Sequence, residues 1–284
     1  MSRTVDPLVP LGTLPGVPDA VESVRKSVDR VYGHRVMRRR SAEVSAEAAL
    51  RGARGSAALE GADWALEEMR RRTDFGAEGE PRTVGAALRA TAESGQLLDV
   101  WQQSPLRVLA RLHLVVAGGE APDETVGRPR LAGEPVTGPG ADHVTGAARD
   151  AVPDAVPDAA EVAVRLDALA QLVVSGSEVP ALVLASVVHG ELAALRPFGS
   201  YNGLVARAAE RIVLVGSGLD PKSICPAEAG HAELGREAYG HALTGYASGT
   251  PEGVAGWIGH CAKAVELGAR ETTAVCEALQ RGAA

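Results

Sequence analysis

Lysine is almost missing from this chain: Lys26, Lys222 and Lys263 are the only three among 29 basic residues in 284. Arginine carries the positive charge instead, and with abundant Ala, Gly and Val this is the usage expected of a GC-rich bacterial genome. A block of positive charge is missing too. Arg38-Arg39-Arg40 is the one cluster, acidic residues outnumber basic ones by 36 to 29, and the formal charge is −7, which argues against an unspecific DNA or RNA footprint. Cysteine is scarce: Cys225, Cys261 and Cys276 are odd in number and far apart, which suits reduced, buried thiols and excludes a disulfide framework. The seven histidines show no H-E-x-x-H or similar spacing, so the sequence assigns no metal. Long apolar runs are lacking as well. The longest, residues 181–188, is too short to cross a bilayer, and residues 1–16 hold Pro and Gly where a signal peptide needs an apolar run. The expectation is a cytoplasmic protein without a membrane or nucleic-acid partner. No convincing long strand pattern appears either, so the fold class expected is all-α.

What is present is helical periodicity on a chain long enough for a substantial core. Residues 1–18 carry four prolines and read as an extended arm. Residues 19–80 form N-terminal helices, beginning with the amphipathic set Val21, Val24, Val28 and Val31, then a helix over 41–51 with Ser41 and Ser45 as candidate N-caps. Residues 55–63 read locally as a turn whose Gly61 can close a helix, and 63–72 as helix. Residues 81–284 make the main body, with helices over 84–101, 106–116 (Pro105 in its first turn), 158–175, 180–195, 205–215, 231–247 and 252–281. His113 is expected in the core. The helix over 180–195 is apolar on almost every side, the mark of a central, buried element. Between them, residues 118–158 are rich in Gly, Pro and Asp and duplicate Ala-Val-Pro-Asp at 151–158. So long an aperiodic stretch is either a functional flap or a linker.

The chemistry concentrates in Arg196-Pro-Phe-Gly-Ser-Tyr-Asn-Gly-Leu-Val-Ala-Arg207, where a tight loop feeds a helix start. Such a junction gathers free backbone N–H groups and the positive end of the helix dipole, which suits a phosphate. Asn202 can cap the helix and Gly203 permits close backbone approach. By itself the same stretch is equally well a structural turn.

The stretch resembles the Fic-domain motif H-P-F-x-[D/E]-G-N-G-R-x-x-R, with Pro197, Phe198, Asn202, Gly203 and Arg207 on matching positions. Upstream, Ser56-x-x-x-Glu60-Gly61 resembles the inhibitory motif [S/T]-x-x-x-E-[G/N] of that family. The resemblance implies a Fic-type helical bundle with at most a small β-hairpin flap, placed at 118–158 and clamping a protein target as an added strand; Gly127-Arg-Pro-Arg130 is similar to its start. It implies transfer of AMP from ATP by a motif histidine, with an acidic residue holding Mg²⁺ and the arginines holding phosphates. It further implies that the Glu60 carboxylate meets Arg207 where the γ-phosphate would lie. It suits a bacterial, actinobacterial source.

The departures fall on the chemistry. Arg196 replaces the general base and stays protonated with no acceptor. Ser200 replaces the metal ligand and holds a hard cation poorly. Tyr201 replaces the first motif glycine and Leu204 the first motif arginine. His189, seven positions before Arg196, sits about 10 Å away along a helix, too far for direct proton transfer, and Glu191 falls on another face. The expectation is therefore a degenerate Fic protein that does not carry out ordinary AMP transfer and acts by binding a nucleotide, ATP among them, or a partner through 118–158. Arg196, Asn202, Gly203 and Arg207 are the phosphate-binding candidates and Ser56, Glu60 and Arg207 the structural set. An active transferase with Arg196 as a charge clamp, and an interaction protein whose pocket is plugged by Tyr201 and Leu204, are the alternatives.

Overall fold

The computed structural model describes residues 6–76, 78–119, 121–138 and 157–282. Among them the chain is all-α, with twelve α-helices, one 3-10 turn and no strand. No helix of the described residues is long and apolar enough to cross a membrane.

Residues 1–18 are not simply extended. Val9–Thr13 form the 3-10 turn, Gly16 takes a left-handed φ of 81°, and α1 (Val17–Tyr32) begins at once, with Pro18 in its first turn. Asp6 anchors this arm by accepting hydrogen bonds from Ser177 Oγ (2.7 Å) and Glu178 N–H (2.9 Å). The buried stripe of α1 is Val17, Val24, Val28 and Val31; Val21 lies at its half-buried margin. The described residues start after Val5, so the first part of the arm lies outside them.

α2 (Met37–Leu59) is much longer than the helix expected over 41–51, and neither Ser41 nor Ser45 caps it: its N-cap is Val36, and the chain bends at Arg40 (φ −124°). The stretch from 55 belongs to this helix rather than to a turn. A Cβ on Gly55 would lie 2.5 Å from the Glu228 carbonyl oxygen, so glycine here serves helix contact. Gly61, at φ 97°, ends α2 in a Schellman closure: Ala62 N–H donates to Ala57 O and Gly61 N–H to Ala58 O, both at 3.0 Å. This closure fixes Glu60 as the C-cap, the residue that follows Leu59 at the end of the helix.

α3 (Leu66–Arg71), α4 (Gly79–Gln96), α5 (Leu98–Trp101) and α6 (Pro105–Ala117) follow. Past the undescribed 139–156, which hold just under half of the expected flap and most of the Ala-Val-Pro-Asp duplication, α7 (Ala159–Ser175) is capped by Asp158, which accepts from Glu161 N–H at 2.8 Å. The described part of the flap region, 121–138, carries no strand.

α8 (Ala181–Leu195) and α9 (Asn202–Gly216) form the centre, both buried along most of their length. The helix expected over 231–247 is two, α10 (Ala227–Leu234) and α11 (Arg236–Ala247), separated by Gly235 at φ 92°. α12 (Pro251–Gln280), capped by Thr250, packs against α1, α10, α11 and α8. α1 and α2 thus lie on the same core as α8 and α9.

Candidate functional site

The loop between α8 and α9 is framed by two residues in the left-handed region, Arg196 (φ 46°) and Tyr201 (φ 54°). Neither is a glycine, so each conformation carries backbone strain that the surrounding packing must hold. Arg196 ends α8, its N–H donating to Leu192 O, and is half-buried. Pro197 and Phe198 are buried, and Phe198 stacks on the His113 ring at 4.3 Å between centroids.

Asn202 does not cap α9 in the manner expected. Its amide faces backwards and closes the loop: Oδ1 accepts from Phe198 N–H and Nδ2 donates to Phe198 O, both at 2.8 Å. The cap position is Tyr201, without a side-chain hydrogen bond to the helix. Tyr201 and Leu204 are each 1 % exposed and belong to the hydrophobic core, so the two residues standing at the motif's first Gly and first Arg positions pack inward.

At the start of α9 the last turn of α2 meets Arg207. Ser56 and Glu60, one helical turn apart, present side chains on one face. Arg207 Nε donates to Ser56 Oγ (2.8 Å), and its Nη2 donates to Ser56 O (3.1 Å) and to Glu60 Oε1 (2.5 Å). Both side chains of the ion pair are fully buried. Burial works against the Arg207 charge, but the Glu60 carboxylate, joined by Tyr239, more than offsets it and keeps the guanidinium protonated. The carboxylate also lies against the backbone of α9: a Cβ on Gly203 would come within 2.2 Å of Glu60 Oε1. Glycine at 203 therefore makes room for Glu60, and the anion beside this helix start is the chain's own carboxylate.

Residues 128–138 lie over the other side of the loop. Arg130 N–H donates to Pro197 O and Thr137 N–H to Gly199 O, each at 2.8 Å. The buried Arg130 guanidinium donates to Arg196 O at 2.9 Å and also bonds Pro157 O. Arg128 and Glu134 clasp this segment with a two-pronged ion pair at 2.7 and 2.8 Å. His113 joins the same assembly, since its Nδ1 accepts Gly127 N–H at 3.0 Å. Burial pushes the His113 ring down to about 4, with the Ser200 backbone pulling weakly the other way.

His113 and Arg130 thus hold the loop, a role that the sequence reading, which placed His113 in the core and Arg130 in a flap motif, did not assign. The candidates for a substitute base lie elsewhere. His189 contacts Glu210 and Tyr239, and Glu191 binds Arg165 through both oxygens at 2.7 and 2.9 Å. Ser200, half-buried, is approached by Gly138, and residues 196–201 contain no carboxylate.

No protein-family model matches the chain, and no curated protein matches it in sequence. Solved structures match it in fold. A Fic family protein from Desulfovibrio desulfuricans superposes with a TM-score of 0.72 at 19 % identity, over 92 % of this chain and 75 % of that one. Fic-1 from C. elegans does so with a TM-score of 0.59 at 16 % identity, over 92 % and 72 %. A Fic domain containing signaling protein from Bacteroides thetaiotaomicron does so with a TM-score of 0.59 at 12 % identity, over 91 % and 98 %. At these identities the likeness establishes a Fic-type all-α fold.

Proposed function

We propose that this chain, built on a fold shared with Fic proteins, does not transfer AMP in the ordinary way and acts by binding, as a regulator that senses a nucleotide or holds a protein partner. One observation carries the reading: the Glu60 carboxylate, bonded to Arg207, fills the position beside Gly203 where a phosphate would meet the start of α9. The residues present do not fit Mg²⁺ and ATP in the manner the motif resemblance implies. Arg196 has no proton acceptor, Ser200 is a neutral ligand, and Leu204 offers nothing to a phosphate. Losing a positioned base alone costs a factor of about 10²–10⁴ in rate. The proposal extends to a cytoplasmic, bacterial setting, which suits three unpaired buried thiols and the preference for arginine.

Incubation with α-labelled and γ-labelled ATP in cell extract tests it. No label beyond that of extract alone is expected, and additional label on any protein, lost in Arg207→Ala, would overturn the reading. Calorimetry with ATP and ADP on the native chain and on Glu60→Gly then divides the two modes of binding. Nucleotide binding that appears or strengthens when the carboxylate is removed supports a sensor, and silence in both points to a protein partner.

A further inference from the structure

Behind the motif loop, four helices each send one polar side chain to a single point. α8 gives His189, α9 gives Glu210, α10 gives His231 and α12 gives Cys261, and one donor atom from each lies within 4.8 Å of all the others. All four residues are 0–1 % exposed. We infer that this cluster is a structural metal site for a borderline-soft divalent cation, zinc in the first place, held by two imidazoles, a carboxylate and a thiolate.

The donor set has the composition such a site needs: nitrogen, oxygen and sulfur ligands that suit zinc, with no hard-cation oxygen cage. The spacing suits it as well. In a tetrahedral site with bonds of about 2.0–2.3 Å, donors stand roughly 3.3–3.8 Å apart. Glu210 Oε2 is already 3.0 Å from His189 Nδ1 and 3.2 Å from His231 Nε2, so closure on an ion needs a contraction of about 1 Å at most.

A buried polar atom points the same way. His189 Nδ1 stands close to the carboxylate without an aligned hydrogen bond. Buried polar atoms left in this state are rare unless a ligand completes them. His189 Nε2 meets Tyr239 Oη at 2.7 Å, the kind of outer contact that orients a ligating imidazole. Trp257 and His260 wall in the rings: His189 meets Trp257 edge-on at 5.0 Å, and His231 stacks on His260 at 5.2 Å.

Charge gives the last argument. Arg207 and Arg211, on the same helix as Glu210, are bonded to Glu60 and Glu228, so the Glu210 carboxylate faces imidazoles rather than a guanidinium. A divalent cation with one carboxylate, one thiolate and two neutral imidazoles makes a site of zero net charge, the cheapest state to bury. Uptake releases the Cys261 thiol proton, and the imidazole protons sit on His189 Nε2 and His231 Nδ1, away from the metal. With no open position and no exposed ligand, the ion enters as the helices assemble and ties α8, α9, α10 and α12 together.

The test uses the full chain without a histidine tag, unfolded and refolded under reducing conditions with zinc or with cobalt. Elemental analysis is expected to find about one zinc per chain after dialysis. The cobalt form is expected to show a thiolate charge-transfer band that persists in the double variant Cys225→Ser, Cys276→Ser, where Cys261 is the only thiol. Cys261→Ser and His231→Gln are expected to reduce zinc to background. Refolded native chain that holds no zinc and shows no cobalt band would overturn the site and leave a metal-free polar core. So would a band that disappears in the double variant. The double variant keeps all four proposed ligands, so the result does not depend on Cys261→Ser or His231→Gln folding.

Discussion

Glu60 and Arg207 are a pair whose removal cannot be neutral. With both side chains fully buried and bonded to each other, loss of one leaves an uncompensated charge in the core. Glu60→Gly is therefore expected to lower stability by ~3–5 kcal/mol in urea or thermal unfolding. Unchanged melting together with new ATP binding would show that the pair carries no structural weight. His113 gives a second expectation, with a definite sign. Its folded-state pKa, about 4, lies below the value near 6.5 expected when unfolded, so between those values the unfolded chain binds a proton that the folded chain refuses. Stability should fall as pH drops from about 6.5 to about 4, by about 1.4 kcal/mol per unit for such a group. Unfolding curves across that range for the native chain and His113→Gln check it, the variant being expected to show the shallower dependence.

Helix contacts set the next scale, and glycines mark where they are tightest. A Cβ on Gly230 of α10 would stand 1.9 Å from the Ala264 carbonyl oxygen of α12, and one on Gly268 of α12 would stand 2.5 Å from Pro226 O. The obstacles are backbone atoms, which cannot swing aside. Gly230→Ala is expected to destabilise by about 1–3 kcal/mol or more through overpacking. Gly256, exposed on α12 with nothing within 4 Å of its Cβ position, is the opposite case. There alanine should stabilise by about 0.5–1 kcal/mol through helix propensity alone. Thermal melts of the two variants against the native chain decide between contact and propensity, and equal shifts would show that the α10–α12 crossing is not close-packed. The same logic explains why the stretch from Gly55 reads as a turn in sequence and is helix in the structure: its glycine answers α10, which is far away in the chain.

The whole molecule rests on one hydrophobic cluster that runs from Val17 and Val44 through Leu192 and Leu204 to Trp257 and Leu279. Trp64 reports on the N-terminal helices and Trp257 on the centre, so fluorescence and far-ultraviolet dichroism should trace one coincident unfolding transition. An early fluorescence change without loss of helix would mean that α1 to α3 come away independently. The all-α class, the central α8 and most helix positions were legible in the sequence, since a period of 3.6 and the turn chemistry of Pro and Gly are local signals. So was the meeting of Glu60 with Arg207, through two motifs whose members stand 147 positions apart. Hidden were the backward turn of Asn202, the hold of Arg130 and His113 on the loop, and the convergence of His189, Glu210, His231 and Cys261. The last four carry no recognisable ligand spacing because each comes from a different helix. The sequence by itself determined which segments become helices and which loop joins the central pair, because those follow from neighbours three and four residues apart. Only the tertiary structure decided which buried groups share a site, because that depends on how close helices distant in the chain can approach and on which charges must be matched once water is gone.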